Sequence, residues 1–143
     1  MIKISNLTLV EKEELEMEFV ADIKAGFPSP AADYAGDRID IIKELSSHPE
    51  TTFYAYVNGD SMRNAGLLDG DIIIIDKSLE PHNGDFIVAT IENEFTLKEF
   101  RLDEDKKAGW LIPHNPDFQP IRVSAENNFK VWGVVTHAIH RLR

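Results

Sequence analysis

From residue 51 to the end, short runs of β-branched and aromatic residues alternate with turn signals, and this rhythm commits the chain to strands. "TFYAYV" is rich in aromatics, and "DIIIID" is a continuous β-branched run whose length suits one buried strand. "NGDFIVATI" opens on an Asn-Gly turn and leads through a tight Glu-Asn-Glu connection into "ENEFTLKEF", so residues 85–101 read as a hairpin. "GWLIP", "QPIRVS" and "FKVWGVVTHAIHRL" supply the rest. About seven short strands at this spacing predict a compact, mainly β fold with antiparallel pairing.

Upstream the pattern changes near residue 26. Residues 1–24 set Lys3, Lys12 and Lys24 against six acids with scattered apolar groups, so residues 1–25 read as an arm unable to form a core alone. Within it, "EKEELEMEF" has the composition of a short helix with few apolar positions. "KAGFPSPAADYAGD" follows as an extended linker, because Pro28 and Pro30 bias the residues before them away from helix. In "DRIDIIKELSSHPE", Ile39, Ile42 and Leu45 fall at helical spacing, Asp37 is placed to cap the start and Pro49 follows the end, which predicts a short helix. The chain thus divides into an arm, 1–25, and one domain, 26–143, within the reach of a single core.

Charge narrows the function. A net charge of −10 repels a phosphate backbone, and the densest basic groups, Lys106-Lys107 and His140-Arg141-Arg143, are short and fall in a loop and at a terminus. Direct DNA binding is not expected, and any DNA-related role passes through a protein partner. The chain has no cysteine, which removes disulfides, thiol catalysis and Cys-ligated metal. No apolar stretch approaches the roughly 20 residues that span a bilayer, and the N-terminus lacks a basic start followed by an apolar block, so neither membrane insertion nor export is expected and the location is cytoplasmic.

"YVNGDSMRNAGLLDGDIIIIDK" places Ser61 in a Gly-Asp-Ser-Met turn between two strand-like runs. Gly, Asp and Ser are ordinary turn residues; the alternative is a nucleophile at a strand end, and that needs a base. His48 and His82 stand beside prolines in turns, and His114 lies in the loop "PHNPD". His137 and His140 are three apart in a strand-like tail and point to opposite faces, and no histidine pair has metal-ligand spacing with a carboxylate nearby, so neither a metal site nor a Ser-His-Asp triad is expected. No metal or cofactor is implied. Lys98, in "FTLKEF", is the other possible base; alternation puts Thr96, Lys98 and Phe100 on one face and Phe95 and Leu97 on the other. Pattern alone favours a lysine that reaches into water. Service as a base requires a pKa lowered from near 10.4 by about 3 units, roughly 4 kcal/mol, which burial in an apolar setting can supply.

Several of these stretches occur together and in order: "GDSM", then "GLLDGDIIIID", "GDFIVATIENEFTLKEF" and "NPDFQPI". Across about residues 24–140 the chain resembles the self-cleaving Ser-Lys peptidases of the bacterial DNA-damage (SOS) response, the LexA/UmuD family. The linker "FPSPAADYAGDRIDI" is closer to the UmuD pattern. The resemblance implies Ser61 as nucleophile, Lys98 as general base, and the backbone N–H groups of Asp60 and Ser61 as oxyanion donors. It implies self-cleavage at Ala25–Gly26, where the UmuD pattern more often carries Cys-Gly and LexA-like chains Ala-Gly. It further implies a homodimer, stimulation by RecA filaments on single-stranded DNA, and a truncated product that joins a UmuC-like translesion polymerase. Only 25 residues precede Gly26, too few for the helix-turn-helix domain of a repressor. The alternatives are a LexA-like binding or repressor module that has kept the fold without catalysis, and a signal peptidase, whose membrane anchor this sequence lacks.

Overall fold

The computed structural model describes residues 3–9, 16–18, 38–105 and 108–143. The proline-rich linker, Asp37, the Ala25–Gly26 bond and Lys106-Lys107 lie outside the described residues. Ten strands are described: β1 Lys3–Leu9, β2 Glu16–Glu18, β3 Arg38–Asp40, β4 Thr52–Asn58, β5 Ile72–Asp76, β6 Phe86–Ile91, β7 Glu94–Leu102, β8 Gly109–Ile112, β9 Ile121–Val123 and β10 Phe129–Ile139. One five-residue helix, α1 (Ile41–Leu45), accompanies them.

Eight strands form one sheet in the order β1-β4-β5-β10-β6-β7-β8-β9, and every neighbouring pair is antiparallel. The mainly β expectation holds. β6 and β7 are the expected hairpin, turning on Glu92 (φ 49°) and Asn93 (φ 65°), the two successive positive φ values that match the twist of flanking strands. The long crossover is β10, which enters between β5 and β6 and ties the hairpin to the first half of the chain.

Successive side chains of β6 serve opposite faces: Val88 packs with Ala55, Val57, Met62, Ile73, Ile75 and Leu97, while Ile87 and Ala89 pack with Phe100, Leu111, Val123 and Val134. β1 and β7 are not ladder neighbours, yet they approach each other, so the sheet curls upon itself. A strand apolar on both faces, such as β5, needs cover on each side, and the curl of the sheet helps to supply it.

Two helical expectations are corrected. Glu16–Glu18 is a strand, and it pairs with Arg38–Asp40 in a separate two-stranded sheet. The helix expected across "DRIDIIKELSSHPE" is therefore confined to Ile41–Leu45, because the backbone groups of 38–40 are committed to a ladder. Tertiary pairing overrides propensity in both places.

Candidate active site

The segment joining β4 to β5 is pinned at both ends. Gly59 takes φ 100°, which favours glycine, and its N–H donates to Asp69 Oδ1 at 2.7 Å. Met62 and Leu67 sink into the core beside Val57 and Ile73 and hold the middle of the segment down. Ser61, between these anchors, is fully buried. The loop after β8 clamps it: the His114 N–H donates to the Ser61 carbonyl at 2.8 Å, and the Asn64 N–H donates to the His114 carbonyl at 2.8 Å. The Asn115 amide donates to the Asp60 carbonyl at 2.9 Å.

Lys98 comes from β7, a strand with ladder partners on both sides. Its residue exposure is 2%, so the reading in which it extends into water fails. The three strand positions Thr96, Leu97 and Lys98 are all buried, and alternation sends Thr96, Lys98 and Phe100 to one face. Lys98 Nζ lies 3.0 Å from Ser61 Oγ, 3.0 Å from Thr96 Oγ1 and 3.0 Å from the Leu97 carbonyl. Desolvation by burial lowers the lysine from 10.5 to about 8. Its neighbour Glu99 points away, to Arg101 Nε at 2.6 Å and His114 Nε2 at 3.1 Å. Burial pushes Glu99 upward, but those hydrogen bonds and charges outweigh it and hold the carboxyl below its usual range.

An ammonium has three donors, and three oxygens surround it. A neutral amine has two N–H groups and one lone pair. It can donate to Thr96 and Leu97 and accept from the Ser61 hydroxyl without moving. Both protonation states are satisfied by the same partners, and the neutral state is ready to take the serine proton. Thr96 is thus a member of the site that sequence reasoning placed on the correct face but gave no role. Asn115 was not singled out at all; its partner stands 55 positions away.

The histidines are placed otherwise. His48 Nδ1 meets Asp76 Oδ2 at 2.7 Å and Ser78 Oγ at 3.3 Å, which gathers a serine, a histidine and an aspartate. Both partners share one ring nitrogen, however, whereas a triad needs the acid and the hydroxyl on opposite nitrogens. His140 Nδ1 pairs with Asp71 at 2.7 Å, and His137 Nδ1 meets Thr136 at 2.9 Å. Among the described residues no cluster of His, Asp and Glu suits a metal ion, and no helix is long and apolar enough to cross a membrane.

Residues 18–136 match the family model described as Peptidase S24-like. The chain is 38% identical over 125 residues to Protein ImpA of Salmonella typhimurium, across 87% of this chain and 83% of that protein. It is 35% identical over 142 residues to Protein SamA of Salmonella typhimurium, across 96% and 97% of the two chains. To the LexA repressor of Xylella fastidiosa it is 33% identical over 128 residues, spanning 90% of this chain and 59% of the repressor.

Proposed function

The chain belongs to the S24-like peptidase family, and from that premise we propose that it is a self-cleaving serine peptidase of the SOS response that cuts its own Ala25–Gly26 bond. The observation that carries the reading is the buried pair: a lysine amine 3.0 Å from a buried serine hydroxyl, lowered toward neutrality and with no carboxylate among its hydrogen-bond partners in the described residues.

Ser61 is the nucleophile and Lys98 the general base. The neutral amine takes the Oγ proton as Oγ adds to the Ala25 carbonyl carbon. The oxyanion is met by the N–H groups of Asp60 and Ser61. The Lys98 ammonium then returns that proton to the Gly26 nitrogen as the C–N bond breaks, leaving residues 1–25 as an ester on Ser61. Water, deprotonated by the same amine, hydrolyses the ester. Alanine before the bond presents little bulk, and glycine after it lets the backbone approach closely. The product, 26–143, loses β1 from the edge of the large sheet and β2 from the small one.

The wider role follows the family resemblance of the sequence. A RecA filament on single-stranded DNA favours the pose in which Ala25–Gly26 meets Ser61, and the truncated form acts as a homodimeric regulatory subunit of a UmuC-like translesion polymerase. The net charge of −10 supports a route through protein partners instead of direct DNA contact.

Incubation of the purified full chain at about pH 10, where most Lys98 is neutral, tests the chemistry. Two fragments divided at Ala25–Gly26 are expected, and none from Ser61→Ala or Lys98→Ala. An intact wild-type chain returns the protein to the class of binding modules, and cleavage persisting in Lys98→Ala removes the proposed base.

A further inference from the structure

We propose that Asn115 is a positioning residue for the oxyanion site, its amide orienting the Asp60–Ser61 peptide so that the Ser61 N–H faces the carbonyl to be attacked. The proposal rests on the Ser-Lys reading above.

A trans peptide carries its C=O and its following N–H on opposite edges of one plane. Fixing the Asp60 carbonyl therefore fixes the Ser61 N–H. That carbonyl has two donors: the Arg63 N–H at 3.1 Å, the ordinary closure of a turn, and Asn115 Nδ2 at 2.9 Å. The Ser61 N–H has no acceptor among the described residues. The contrast is informative. The turn bond already satisfies the carbonyl, so the second donor is not needed to avoid an unpaired buried oxygen. It adds direction, because a carbonyl held from two sides does not rock about its flanking bonds.

Asn115 is built for this. It is 3% exposed, and its Oδ1 accepts the Asp117 N–H at 3.0 Å. Only an oxygen meets that N–H and only an N–H meets the Asp60 carbonyl, so the amide has a single orientation. Aspartate at this position keeps the acceptor, loses the donor and sets a carboxylate against a carbonyl. The adjacent His114 N–H holds the Ser61 carbonyl, so one loop controls two successive peptides around the nucleophile.

The test is the pH profile of self-cleavage in the full chain, comparing wild type with Asn115→Ala and Asn115→Asp, each shown to be folded by circular dichroism. Removing a whole oxyanion donor costs about 100- to 1000-fold, so misdirecting one is expected to lower the alkaline plateau by about 10- to 100-fold. In Asn115→Ala the inflection is expected to stay in place, because Ser61, Thr96 and Leu97 still surround Lys98; in Asn115→Asp the added carboxylate favours the ammonium and moves it upward. A structural role alone would change the folded fraction and leave the rate per folded molecule intact. Folded variants that cleave within about twofold of wild type overturn the proposal. So does a lowered rate accompanied by a shifted inflection in Asn115→Ala, which would mean that the amide acts through the lysine, and so does failure of both variants to fold. A wild-type chain that does not cleave removes the Ser-Lys reading itself, an outcome distinct from all of these.

Discussion

Lys98→Met, made in the Ser61→Ala chain so that nothing cleaves during the measurement, isolates the energetic cost of the buried amine. Methionine has similar length and no titratable group. Burial lowers the lysine from 10.5 to about 8. At roughly 1.36 kcal/mol per unit, this is about 3 kcal/mol of preference for the neutral form. The folded pKa lies below the unfolded one, so between about pH 8 and about pH 10.5 the unfolded chain binds more protons and stability rises with pH. Below about pH 8 the whole cost is present. Urea unfolding of the two chains, followed by fluorescence of Trp110 and Trp132 from about pH 7 to about pH 10.5, gives a stability difference at each pH. The lysine chain is expected to gain at least about 3 kcal/mol on the methionine chain across that window, because the Ser61→Ala background removes one of the three oxygens that steady the ammonium and lowers the amine further. Hydrogen bonds to Thr96 and Leu97 lost in the methionine chain shift the level of the difference, not its slope. Other titrating groups occur in both chains and cancel. A difference that stays flat refutes the argument. A lysine chain that loses ground as pH rises refutes it more sharply, since the amine would then be stabilised as a cation.

Two further substitutions probe the surroundings. Thr96→Val removes one of the three oxygens around Nζ; hydrogen bonds from an ammonium are the stronger ones, so the cation suffers more and the inflection of the cleavage profile moves down by up to about one unit. Thr96→Ser restores it, and an unmoved or raised inflection contradicts the assignment. Gly133→Ala places a Cβ 2.6 Å from Ile75 Cγ2 and 3.3 Å from the Asp76 carbonyl. Ile75 is fully buried and the second contact is backbone, so neither yields cheaply. A loss of about 1–3 kcal/mol and a Tm lower by several degrees are expected in thermal unfolding; an unchanged Tm would show that the β10 bulge beside Gly133 absorbs the methyl group.

How much of this was legible depends on how local each cause is. The runs "DIIIID" and "FIVATI" announce strands because β-branching and length are properties of the residues themselves. The hairpin was legible for the same reason, its turn lying within a few residues. The insertion of β10 between β5 and β6 was not, since no short window records which distant strand completes a ladder. Residues 16–18 and 38–40 misled because their helical composition yields to pairing between segments about twenty residues apart. Lys98 is the instructive case. Alternation fixed its face, but burial depends on β6, β8 and the Ser61 segment closing around it, and only the family resemblance joined the two residues in advance. Thr96 could have been read from its place two positions before the lysine. Asn115 offered no local signal.

The geometry also bears on what would restrain the proposed self-cleavage. Within the described residues the pair is already assembled, and the same three oxygens serve the charged and the neutral amine, so no side chain has to move for Lys98 to become a base. With a pKa of about 8, roughly one-tenth of the molecules carry the neutral amine at pH 7. Protonation therefore restrains cleavage by only about tenfold relative to the alkaline plateau. A chain that cuts itself at pH 7 at about a tenth of its plateau rate is controlled by that proton alone. If the alkaline plateau itself is slow and a RecA filament raises it, the restraint lies in presentation: the bond between Ala25 and Gly26 seldom reaches Ser61, and the activator acts by changing how often it does. Comparing filament-stimulated and unstimulated rates across pH separates the two. Presentation multiplies the rate equally at every pH, whereas an activator that deprotonates Lys98 moves the inflection.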